Sequence, residues 1–126
     1  MGNLTKNFST WEFSCSCCGR HLCPELLRRL AIPLQELRDK LNKPIIIHSG
    51  YRCPKHNKAI GSAPTSQHVK GKAVDCHAVD ITPEELARAA STVEAFREGG
   101  IGVYYWGCHL DIRGKKARWG KKWRIT

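Results

Sequence analysis

The decapeptide Ser66-Gln67-His68-Val69-Lys70-Gly71-Lys72-Ala73-Val74-Asp75 puts a histidine on a loop and a carboxylate seven residues later. Gly71 permits the turn between them. His109 lies on a later segment, with Asp111 two residues on. Two imidazoles and one carboxylate make a three-ligand set that suits zinc and leaves a fourth position for water. A structural zinc is usually closed by four ligands rich in cysteine. On spacing alone, the alternative stays open that His68, Asp75 and His109 are three unrelated polar residues. An iron centre of the His-x-Asp type needs a further histidine downstream, and none follows Asp111.

Two segments must position these groups. Ala73 to Val79 alternates as a strand, with Ala73, Asp75 and His77 on one face and Val74, Cys76 and Ala78 on the other. In Cys108 to Arg113, His109, Asp111 and Arg113 share one face, so Asp75 and His109 converge if the polar faces lie side by side. Leu27, Leu30, Leu34, Leu37 and Leu41 recur at helical steps, and Pro33 is expected to kink or split that helix. Ile45-Ile46-Ile47-His48 reads as a buried strand. Tyr51 to Ser66 reads as a long loop with one helical turn near Pro54-Asn57. Thr82, Pro83 and Glu85 form a helix start with a capping box. That helix is expected to run to about Arg97, where Gly99-Gly100 stops it. Ile101 to Tyr105 and Cys108 to Arg113 read as a hairpin around Trp106-Gly107. The order predicts an α+β fold, a small, mostly antiparallel sheet covered by helices.

The chain has 126 residues, one domain's length. We read it as a single domain, 1–126, with an irregular cysteine-containing segment 1–23 and a basic, tryptophan-containing tail 114–126. Its 41% hydrophobic and 25% charged content excludes bulk disorder. No apolar run approaches the roughly 20 residues that span a bilayer, so membrane insertion is not expected. Lys and Arg total 21 against 11 Asp and Glu, a formal charge of +10. That balance points to a polyanion, either nucleic acid or an anionic surface such as a bacterial wall; solubility alone is the blander reading.

Met1 to Lys6 lacks the apolar core of a secretory leader, so synthesis in the cytoplasm and a reducing compartment are expected. The seven cysteines are an odd number, which excludes a complete set of internal disulfides. Cys15, Cys17, Cys18, His21 and Cys23 offer enough soft ligands for a second, structural metal, with free buried thiols as the alternative. Cys53, Cys76 and Cys108 read as core packing.

The pattern S-x-H-x-x-G-x-A-x-D is preceded by Ser49-Gly50-Tyr51-Arg52 and followed by Gly100-Ile101-Gly102-Val103-Tyr104 and His109-Leu110-Asp111. Together these resemble the zinc D-alanyl-D-alanine carboxypeptidases and endolysin-type peptidases of the Hedgehog/D-Ala-D-Ala-peptidase fold. The opening Phe8-x-x-x-Glu12-Phe13-x-Cys15-x-Cys17-Cys18-Gly19 is similar to that of small phage and bacterial members. The resemblance implies His68, Asp75 and His109 as zinc ligands. It implies Arg52 as the arginine that contacts a substrate carboxylate or carbonyl oxygen, and Ser66 as a hydrogen-bonding serine near the site.

The activity implied is zinc-dependent hydrolysis of D-amino-acid-containing peptide bonds of peptidoglycan. Better-known members carry an acid three positions before the last zinc histidine, and this chain has Trp106 there. Asp111 is then the first candidate for the general base and His77 the second; Asp111 could equally orient a ligand.

Arg113 to Arg124 interleaves basic residues with Trp119 and Trp123. Such a stretch can stack on bases or hold an anionic wall polymer, and the resemblance favours the wall. We therefore expect a monomer acting on peptidoglycan stem peptides, reaching the wall by host lysis or virion delivery. The alternative is a non-catalytic module that keeps the zinc fold and binds the wall or another polyanion.

Overall fold

The structure, a computed structural model, describes residues 2–120. Five strands form one sheet in the order β1-β2-β4-β3-β5: β1 Ile45–Ser49, β2 Ala73–Ala78, β3 Gly100–Tyr104, β4 Gly107–Asp111 and β5 Ala117–Gly120. Every pairing is antiparallel except β3 with β5. Among the described residues, four α-helices accompany the sheet, α1 Pro24–Leu41, α2 Pro54–Ala59, α3 Pro83–Ala90 and α4 Glu94–Arg97, with a short 3₁₀ helix at Thr10–Phe13. This is the α+β class read from the sequence.

Alternation divides the sheet as anticipated. Val74 and Cys76 of β2, Cys108 and Leu110 of β4, and Ile101 and Val103 of β3 join one core with Leu27, Leu30, Leu34 and Leu37 of α1 and Leu86 of α3. Each fully buried leucine contributes about 1.5–3 kcal/mol of transfer free energy. The opposite face carries Asp75 and His109, which are direct cross-strand partners on β2 and β4.

β1 is an edge strand with Ile45 buried and Ile46 exposed, not the buried strand read from the sequence, and three further elements differ. The first helix runs unbroken through Pro33, which is buried with the leucine stripe, so packing outweighs the lost backbone bond. The predicted helix from Thr82 to Arg97 is instead two. Thr82 caps α3 as expected, accepting from the Glu85 N–H at 3.1 Å. The hydroxyls of Ser91 and Thr92 then donate to the carbonyls of Arg88 and Ala89, both at 2.6 Å. Such local bonds compete with helix continuation, and the chain restarts as α4.

The tail supplies the last difference, the strand β5 beside β3. Trp119 lies over Gly102, where any Cβ would collide with its indole. Lys121 to Thr126, including Trp123 and Arg124, lie outside the described residues.

Candidate metal centre

His68 descends from the loop before β2, and Gly71 makes the reversal there at φ +71°. Ser66 Oγ accepts from the His68 backbone N–H at 3.2 Å. The His68 ring is 2% exposed, and its Nδ1 lies 2.8 Å from the Gly50 carbonyl oxygen. Gly50 is confined to glycine by close approach, because a Cβ there would come within 2.7 Å of the Phe13 backbone. His109 is fixed from below, with its Nε2 at 2.7 Å from Asp111 Oδ2. Trp119 packs against it at 4.9 Å between ring centroids.

These contacts decide the tautomers. A carbonyl oxygen only accepts, so His68 Nδ1 carries its proton. Asp111 is held well below the usual carboxylate range: burial opposes this, but hydrogen bonds from His109 and Arg113 prevail. It therefore accepts from His109 Nε2–H. Nε2 of neutral His68 and Nδ1 of neutral His109 are then lone pairs, each 3.2 Å from the same atom, Asp75 Oδ1. Asp75 too is held below the ordinary range, with burial overcome by the two histidines.

Three electron-rich atoms converging without a proton among them require a cation. In the metal-free protein a proton supplies it. Burial works against charge on His109, but Asp111 and Asp75 outweigh it and raise its pKa. A divalent metal fits the same point, as the ligand atoms all lie within 4.8 Å of one another. The donor set of two nitrogens and one oxygen matches zinc chemistry.

The centre lies in a cleft of about 250 Å³ lined by Arg52, Ser62, Ser66, Tyr104 and Trp106 with the three ligands. Arg52 is held by Ser49 Oγ at 3.4 Å, by Asn57 Oδ1 and Ser62 Oγ at 3.2 Å, and by Asp75 Oδ2 at 3.4 Å. The Tyr104 hydroxyl accepts from Trp119 Nε1–H at 2.7 Å, and its ring stacks on Trp106 at 5.1 Å.

Neither candidate base faces this cleft. Asp111 is fully buried, and its oxygens accept from Gly100 N–H at 2.8 Å, from Arg113 and from His109. That occupancy makes it an orienting group for His109. His77 is bonded to His48, whose ring lies 5.6 Å from Trp106, and does not line the cleft.

The cysteine cluster also departs from expectation. Cys15, Cys17 and Cys18 come together with Cys53, read from the sequence as core packing, and not with His21 or Cys23. His21 Nδ1 instead lies 2.7 Å from the Leu22 carbonyl oxygen, and Cys23 precedes α1 as its N-cap. The sequence distance from Cys18 to Cys53 hid the pairing. Tyr104 and Trp119 were also missed as site residues. Tyr104 had a signal: Gly100, Gly102 and Tyr104 alternate on the face of β3 that pairs with His109.

A cleft floored by two histidines and one carboxylate, with lone pairs aimed at one point, is a candidate metal site of the kind a metal-dependent hydrolase needs. Residues 4–111 match the family Peptidase M15, and the chain belongs to it. Membership makes the protein a metallopeptidase by family. A search of curated proteins returned no match.

Proposed function

We propose that the chain is a zinc-dependent peptidase that hydrolyses D-amino-acid-containing peptide bonds of bacterial peptidoglycan. The observation that carries this reading is the convergence of His68 Nε2, Asp75 Oδ1 and His109 Nδ1 beside Arg52 in one cleft. His68, Asp75 and His109 would hold the zinc, which would supply an activated water at neutral pH and polarisation of a carbonyl. The chain's own groups do the rest. Trp119 donates to the Tyr104 oxygen, and among the described residues the Tyr104 O–H has no acceptor, so it can donate into the cleft. A guanidinium has five N–H donors, and four of Arg52's are engaged by Ser49, Asn57, Ser62 and Asp75. Among the described residues one remains unengaged, which suits a single carbonyl oxygen better than a bidentate carboxylate grip. Arg52 and Tyr104 together stabilise negative charge developing on that oxygen.

The basic surface would hold anionic wall polymers while the cleft works on stem peptides, with delivery by host lysis or a virion. A second reading, a binding module without turnover, draws on one fact: Asp75 is the single carboxylate among the described residues lining the cleft. Mass spectrometry of purified peptidoglycan digests separates the two. New amine ends, lost on chelation and in His68→Ala, support hydrolysis. Wall binding by zinc-loaded protein with no new ends from any wall type would leave only the module.

A further inference from the structure

The Cys15, Cys17, Cys18 and Cys53 sulfurs lie within 4.8 Å of one another. Cys15 and Cys17 are 3.7 Å apart, and Cys17 and Cys53 are 3.4 Å apart. Four thiolates about 2.3 Å from a tetrahedral zinc stand about 3.8 Å from each other, whereas a disulfide requires about 2.05 Å. All four are free thiols here.

The backbone around them is arranged for negative sulfur. The Cys53 N–H donates to Cys15 Sγ at 3.4 Å, and the His56 N–H donates to Cys53 Sγ at 3.4 Å. Arg20 and Lys55 line the same surface hollow as Cys17, Cys18 and Cys53, and they offset the net −2 of a zinc tetrathiolate.

We propose that Cys15, Cys17, Cys18 and Cys53 bind one structural zinc, which locks the amino-terminal segment to the backbone next to Arg52. Four protein ligands leave no open position, so this ion has no part in hydrolysis. Its effect is positional. Cys53 is at once the neighbour of Arg52 and the N-cap of α2, the helix that carries the Asn57 clamp on Arg52. The proposal is independent of the peptidase reading, since the two ligand sets share no residue.

The test uses the full chain prepared under reducing conditions and loaded with cobalt(II). Thiolate-to-cobalt charge transfer in the near ultraviolet, with strong tetrahedral visible bands, is expected from the wild-type protein, because the histidine centre contains no sulfur. The signal should persist in His68→Ala and Cys23→Ser and vanish in Cys18→Ser and Cys53→Ser. Zinc analysis should give two ions per wild-type chain and one in each of His68→Ala, Cys18→Ser and Cys53→Ser. Zinc absorption spectroscopy of His68→Ala should show only sulfur, at about 2.3 Å. Absence of the charge-transfer band from cobalt-loaded wild type overturns the proposal whatever the variants do. So does a Cys17–Cys53 disulfide in the reduced preparation, or retention of the band in Cys53→Ser.

Discussion

Asp111, with no solvent exposure, holds Nε2 of His109 at 2.7 Å and thereby turns the ring's Nδ1 toward Asp75. Asp111→Asn offers an amide N–H where an acceptor is needed and removes the charge that fixes the tautomer. Loss of such a partner typically costs 10–100-fold in metal affinity, and we expect a loss of about that size for zinc in a chelator competition titration. An unchanged affinity would show that His109 needs no such support.

The same groups set the pH response. Asp75 and Asp111 have folded pKa values below their ordinary 3.8, so their stabilisation is present above that pH and is lost as pH falls through the folded values. His109 has a folded pKa above 6.5, so in the metal-free protein its contribution is full below 6.5 and is lost as pH rises through the folded value. The metal-free protein should therefore have its highest melting temperature in mildly acidic buffer. Zinc bound there would displace the His109 proton, so zinc affinity should climb as pH rises through the His109 pKa. Scanning calorimetry and zinc titration across pH 4–8 check both; a flat zinc affinity would contradict the proton-for-metal exchange.

Tyr104→Phe deletes one hydroxyl while keeping the ring stacked on Trp106. Removing one donor to a developing oxyanion costs about 10²–10³-fold in turnover. We expect a fall in kcat near the lower figure with little change in KM or melting temperature. Equal kcat for the two proteins would remove Tyr104 from the reaction.

Leu34 is fully buried in the α1 stripe, whereas Ile32 on the same helix is 59% exposed. Leu34→Ala should destabilise the fold by about 2–5 kcal/mol. Ile32→Ala should stay within about 0.5 kcal/mol. Urea denaturation of the pair tests whether that stripe, rather than helix propensity, holds α1 to the sheet.

Much of this was legible in the chain because it depends on short-range regularities. A strand's two-residue period put Asp75 and His109 on polar faces, and the capping box at Thr82 marked the start of α3. What stayed hidden depends on distance or competition. Cys53 lies 35 positions from Cys18, and only folding reveals the cluster. Pro33 reads as a helix breaker until its neighbours are seen buried. Lys115 to Gly120 lacks the β-branched run of a strand, yet β5 forms because β3 offers it an open edge. Asp111 shares a strand face with His109, as a base would, but Arg113 and Gly100 claim its oxygens.

The parallel pairing of β5 with β3 has a practical corollary. Matched family sequence stops at residue 111, yet the indole resting on His109 and gripping the Tyr104 phenol arrives eight positions later. A fragment trimmed to the matched boundary would keep His68, Asp75 and His109 and lose the side chain that backs His109 and donates to Tyr104. Minimal versions of this protein built for engineering should therefore extend at least through Gly120.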